Sequence, residues 1–179
     1  MPMVRRSDID SWLAVVKDGG LLPESVFRTL CNKLKEILVE ESNVQPVSAP
    51  VIIATGFKGH FWDLLKLFDI GGWPPNQSYI FLGNYTCRGY HSCEALQLLM
   101  CLKLKWPDKV TLLRGHQDED LIMQIYGFKD EVLRKYGNIN VFKDALELMD
   151  YIGITAVIEG KILCVNGGPD PDATTLDQI

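Results

Sequence analysis

The chain is short of cysteine, of clustered positive charge and of long apolar runs, and each shortage removes a class of function. Five cysteines are scattered over 179 residues. They are odd in number and never spaced Cys-x-x-Cys, which excludes a disulfide framework and a thiolate zinc site. With 18 Lys and Arg against 23 Asp and Glu, and only the Arg5-Arg6 pair adjacent, the chain lacks the basic face that phosphate-backbone binding needs. No nucleic-acid partner is therefore expected. No apolar run is long enough to cross a bilayer, and Met1 to Ser11 lacks the apolar centre of a secretory leader. Neither membrane association nor export is expected, and a cytoplasmic or nuclear location follows as the default.

What is present is an ordinary globular composition, 47% apolar and 23% charged, without repeats, low-complexity tracts or linkers. Ser7-Asp-Ile-Asp10 reads as a helix start and Gly19-Gly20 as its stop. Pro23 suits a first helical position, and Val26, Leu30, Leu34, Ile37 and Leu38 recur at helical spacing up to Glu41. After Pro46 to Pro50 the pattern changes to compact apolar runs at 51–54, 79–82, 110–113, 155–158 and 162–165, each read as a buried strand. Helical patterns lie between them at 61–68, 92–104, 118–126, 130–136 and 141–149. Glu159-Gly160 has the composition of a two-residue hairpin turn. The expectation is a single α/β domain over 1–179, with helices in 1–45 and a strand-helix core in 46–179.

Four apolar strands empty into loops rich in glycine: Thr55-Gly-Phe-Lys-Gly59, Gly83-Asn-Tyr-Thr-Cys-Arg-Gly89, Arg114-Gly-His-Gln-Asp-Glu119 and Val165-Asn-Gly-Gly-Pro-Asp170. Open α/β sheets place their sites at such strand ends. The glycines permit tight turns and close backbone approach, while Arg88 and Lys58 supply cationic donors. A small phosphate or carboxylate site at Arg88 and Lys58 is the modest inference from the residues alone. The plainer reading is that the glycines only turn the chain and the cations face water.

The same segments resemble the binuclear-metal serine/threonine protein phosphatases, which share the metallophosphoesterase sandwich fold, and among them the protein phosphatase 6 and Sit4-like group. Glu40-Glu-Ser-Asn-Val-Gln-Pro-Val47 carries the resemblance most specifically. Thr111-Leu-Leu-Arg-Gly115, Gln124-Ile-Tyr-Gly-Phe128, Arg134-Lys-Tyr-Gly-Asn138 and Thr175-Leu-Asp-Gln-Ile179 extend it collinearly. In such enzymes two divalent ions, such as Mn or Fe/Zn, are clamped by Asp, His and Asn so that a bridging water attacks phosphate.

By this resemblance the chain keeps the loops and lacks the chemistry. Gly56 and Lys58 stand where the first family loop has its metal-binding Asp and His. Asn84 replaces the bridging carboxylate, and Cys87 the Asp that orients the catalytic His. His116 replaces a metal-binding Asn, and Gln117 the general-acid His; glutamine cannot supply a proton at neutral pH. The fourth family segment becomes Asn166-Gly-Gly-Pro-Asp-Pro171. Only the phosphate-contacting arginine survives, as Arg88. The family's later histidine ligands would lie beyond Ile179, so the resemblance covers the N-terminal part of a domain, with a strand edge and a sheet face left uncovered.

These readings imply no catalytic residues, no metal ligands and no cofactor. They imply a pseudophosphatase that binds a regulatory or scaffold subunit, or a phosphorylated protein, through Arg88 and Lys58. Two alternatives accompany it. One is a weak metal-dependent phosphoserine or phosphothreonine phosphatase recruiting His116, Asp118 and Asn84 as substitute ligands. The other is a truncated product without a selected role. A cysteine-dependent phosphatase built on Cys87 beside Arg88, a cation that would lower its thiol pKa, lacks the Cys-x-x-x-x-x-Arg loop of that chemistry.

Overall fold

The computed structural model describes residues 4–168, 172 and 175–179. Helices α1 (Arg6–Lys17) and α2 (Glu24–Leu38) open the chain, and Pro23 stands immediately before α2 with φ −53°. Each helix is amphipathic and buries one face. Leu13 and Val16 of α1, and Phe27, Leu30, Leu34 and Leu38 of α2, are in the core.

Two three-stranded sheets follow. The first is all parallel, in the order β2 (Ile52–Ala54), β3 (Tyr79–Phe81), β4 (Val110–Leu112). Its crossovers are α3 (Phe61–Gly71) and α4 (Ser92–Lys105). Parallel neighbours require such crossovers, which explains the strand-helix alternation in the sequence. Helix α4 is buried along nearly its whole length, and α1, α2 and α6 (Phe128–Tyr136) pack on it.

The second sheet has the order β1 (Val44–Val47), β5 (Thr155–Ile158), β6 (Ile162–Val165). Strand β1 runs parallel to β5, and β6 antiparallel to it. Glu159 and Gly160 both take positive φ, 50° and 64°, which is the hairpin turn expected at this place. Ile80 and Leu113 from the parallel sheet meet Ala156, Ile158 and Cys164 from the other, forming the inner layer of a sandwich. Helices α5 (Asp120–Ile125) and α7 (Asn140–Met149) complete the fold. It is the mixed α/β architecture that the sequence predicts.

Strand β1 is the element the sequence reading missed. Pro46 lies within Val44-Gln-Pro-Val47 and argues against a strand, but β1 forms the sheet's edge, where a residue without an N–H is tolerated. The strand begins at Val44, so the change from helices to strands comes just before residue 45. The N-terminal helices are joined to the rest by buried bonds: Leu22 N donates to Gln97 Oε1 at 2.9 Å, and Tyr136 Oη to Leu22 O at 3.0 Å.

Candidate functional site

The C-terminal ends of β2, β3 and β4 converge, and their loops are bonded backbone to backbone. Lys58 N donates to Asn84 O at 2.9 Å, Gly59 N to Tyr85 O at 3.0 Å, Gly89 N to Lys58 O at 2.8 Å and His91 N to Gly59 O at 3.1 Å. Glycine is required at two of the closest approaches. A Cβ on Gly89 would fall on the backbone of Gly59, and one on Gly83 on the backbone of Gly115. Lys58, Asn84, Cys87 and Arg88 all take positive φ, between 48° and 74°. Four non-glycine residues in that sparsely populated region mark a surface held by its surroundings.

Asp118 is the centre that holds the second and third loops together. It is fully buried in a single 3-10 turn, His116–Asp118. One oxygen accepts from Asn84 N at 2.7 Å and Gly115 N at 2.9 Å, the other from Tyr85 N at 2.9 Å. Burial raises its carboxyl to about 6; the backbone N–H donors and the charge of Arg114 act in the opposite direction. The Asn84 side chain continues the network, with Oδ1 accepting from Gln117 N at 2.9 Å. From the other sheet, Asn166 Oδ1 accepts from His116 N at 3.2 Å, bringing the fourth loop to the third. Pro169, Asp170 and Pro171 of that loop lie outside the described residues.

Both cations assigned from the sequence stand on these loops. Lys58 is half-buried, and Arg88 is exposed with its guanidinium 5.0 Å from the centroid of the Tyr126 ring. Arg88 N donates to Tyr126 O at 3.0 Å, so backbone and side chain both anchor to α5 and its end. Their segments are joined by the bond from Gly89 N, the residue after Arg88, to Lys58 O. Neither cationic head has a hydrogen bond or ion pair among the described residues. Gln117 Oε1 and Ser92 Oγ are buried without a partner among those residues.

Two features differ from what the sequence predicts. Asp118, named as a substitute ligand, is fully buried and spends both oxygens on backbone N–H bonds, whereas His116 is exposed. Among the described residues no three His, Cys, Asp or Glu side chains are grouped as a metal site. The thiol of Cys87 is raised rather than lowered: burial dominates, and Arg88 opposes it only weakly. Its sulfur lies 3.8 Å from the carbonyls of Gln117 and Ile122.

Sequence reasoning also missed Glu131, which closes the start of α4 from a distance. Its carboxylate accepts from Ser92 N at 3.0 Å and Cys93 N at 2.9 Å, and Lys135 pairs with both Glu131 and Glu94. Burial alone would raise Glu131, but the two amides and Lys135 bring it below the ordinary glutamate value. A helical i,i+4 Glu-Lys pair was visible in the sequence, though nothing there marked α4 as its target.

A cavity of about 540 Å3 opens at the opposite, N-terminal ends of the strands, between Gln45–Pro50 and Asn76–Tyr79. Its charged groups include buried Lys103 paired with partly exposed Glu41. Chemistry in open α/β sheets sits outside the carboxyl ends of strands, so the loop cluster remains the candidate site.

Comparison with known proteins places the loops in context. Residues 50–179 match the profile of the calcineurin-like phosphoesterases. Over 172 residues the chain is 49% identical to the serine/threonine-protein phosphatase ppe1 of Schizosaccharomyces pombe, covering 96% of this chain and 56% of that protein. Among solved structures, a Saccharomyces cerevisiae serine/threonine phosphatase with similarity to human phosphatase PP5 superposes with a TM-score of 0.82 at 26% identity. That match covers 90% of this chain and 53% of the other. The chain thus spans little more than half the length of these relatives.

Proposed function

The chain belongs to the calcineurin-like phosphoesterase family, and from that premise we propose that it is a non-hydrolysing relative of the protein phosphatase 6 and Sit4-like serine/threonine phosphatases that binds a phosphorylated protein. The observation that carries this reading is the use of the loop side chains. At positions where the family resemblance calls for metal ligands, Asn84 accepts a backbone amide and Gly56 has no side chain, and Cys87, at the position of the Asp that orients the catalytic His, is packed.

A pair of divalent ions does not fit these residues. Asp118 is fully buried and already accepts from three amides, Lys58 brings positive charge, and Gln117 and Asn84 carry no charge to offset two dications. No hydrolytic step is therefore derived. Arg88 and Lys58 suit an anion instead, because neither head is paired among the described residues and Arg88 is aligned by Tyr126. Arg88 would grip phosphate oxygens in the forked geometry guanidinium allows, and Lys58 would add a point charge. A phosphatase regulatory or scaffold subunit accompanies the proposal as an expectation of the same resemblance, and a cytoplasmic or nuclear site of action as the default expectation from the sequence.

The test uses the purified chain with manganese. Phosphoserine peptide should bind wild type and lose most of its affinity in Arg88→Ala and Lys58→Ala, with no phosphate released. Metal-dependent phosphate release that disappears in Arg88→Ala would overturn the proposal.

A further inference from the structure

Beside the two cations, the same pair of loops builds a second, smaller concavity that neither the fold nor the anion site requires. Its volume is about 160 Å3, and Gly59, His60, Trp62, Asp63, Tyr90 and His91 are among the residues lining it. An apolar cavity of about 150 Å3 is enough to take one benzene ring. The concavity therefore has room for one aromatic ring, open to solvent on its outer side.

The walls are aromatic and open. Trp62 is 58% exposed and Tyr90 78% exposed, although both are side chains that ordinarily contribute by being covered. Trp62 is held in place from behind. Its ring meets Phe61 edge-on at 5.1 Å between centroids and His91 edge-on at 6.2 Å. An aromatic wall fixed in advance loses little conformational entropy when a partner arrives, which is why Trp and Tyr dominate recognition surfaces.

The pocket is joined to the anion site by the chain itself. Lys58 immediately precedes Gly59, and Arg88 lies two residues before Tyr90. The Gly89 N to Lys58 O and His91 N to Gly59 O bonds fix one loop against the other across this boundary. Two residues span at most about 7 Å of backbone, so cation and aromatic wall can touch one short segment at once.

We propose that this pocket reads an aromatic side chain lying within about three residues of the phosphate in an extended phosphopeptide. The inference rests on the phosphopeptide reading above and specifies its substrate class. Charge complementarity at Lys58 and Arg88 orients the peptide, and the ring inserts between Trp62 and Tyr90.

The experiment titrates the chain with a short phosphoserine peptide in which one phenylalanine is walked through the flanking positions. An alanine-only phosphopeptide and unphosphorylated counterparts serve as comparisons. At one or two positions phenylalanine should tighten binding about three- to tenfold over the alanine peptide, the size of one good aromatic contact. Trp62→Ala and Tyr90→Ala should each remove that gain while leaving the alanine phosphopeptide unchanged, and Arg88→Ala should weaken both. Tyr90 is the more exposed of the two and guards against a folding defect in the Trp62 variant. Equal affinity for phenylalanine and alanine phosphopeptides at every position would overturn this inference and leave the anion site standing. Failure of every phosphopeptide to bind wild type would overturn both.

Discussion

Removing the charge of Asp118 should change how stability depends on pH, in a direction and by an amount the structure fixes. The carboxyl is raised from an ordinary 3.8 to about 6 by burial. A folded-state value above the unfolded one means the native state favours the protonated form. The associated stability is therefore complete below the ordinary aspartate value and is lost as pH rises through about 6. At about 1.4 kcal/mol per pH unit, the rise amounts to about 3 kcal/mol. Asp118→Asn does not titrate and provides the reference. It keeps an acceptor for Asn84 and Gly115 and sacrifices the bond from Tyr85, a constant offset of about 1–3 kcal/mol. Equilibrium urea unfolding of both proteins from pH 4 to pH 7 gives the difference. Wild type should lose about 2 kcal/mol of that relative to Asp118→Asn across this range, with most of the change between pH 4 and 6. Glu131 is lowered instead, so its contribution is lost as pH falls below the ordinary glutamate value, in the opposite sense. Being common to both proteins, it cancels in the difference. A difference that stays flat across the range would refute the reasoning.

Other outcomes follow from the same contacts. Glu41→Ala leaves the buried ammonium of Lys103 with only the carbonyl of Pro107 and should cost about 3 kcal/mol by urea unfolding, while Lys103→Met combined with Glu41→Leu should recover most of it. Glu131→Ala orphans the amides of Ser92 and Cys93 and unpairs part of Lys135; a loss of about 2–3 kcal/mol is expected, with early amide exchange at the start of α4. Gly89→Ala forces a methyl onto the Gly59 backbone, so phosphopeptide affinity should fall at least tenfold even where circular dichroism shows the helices intact.

Much of the fold could be read from the chain because local and global preferences agree. The apolar run at 79–81 is a central strand buried on both faces with the run at 110–112 as its parallel neighbour, and Glu159-Gly160 has the two positive φ angles its composition favours. Strand β1 resisted because Pro46 contradicts its role locally, and because its partner β5 lies more than a hundred residues away. The loops themselves were legible from their glycines and cations. The purpose of Asp118 was not: as one of several acids near a strand end it looked like a ligand, and only three-dimensional placement gives it three amides to accept. The aromatic pocket was equally hidden, since Trp62 and Tyr90 come from segments that meet only when the two loops are bonded together.

The contact of Gly83 with Gly115, and of Gly89 with Gly59, has a consequence for how such a site can change. Where main chain rests directly on main chain, and a buried carboxylate ties the same strands of backbone together, the spacing between loops does not depend on the groups displayed to solvent. Reactive functions can then be exchanged one at a time while the platform that presents them stays in register. A chemist wishing to install a new activity would start with a mould already set, and would need only to repaint its surface.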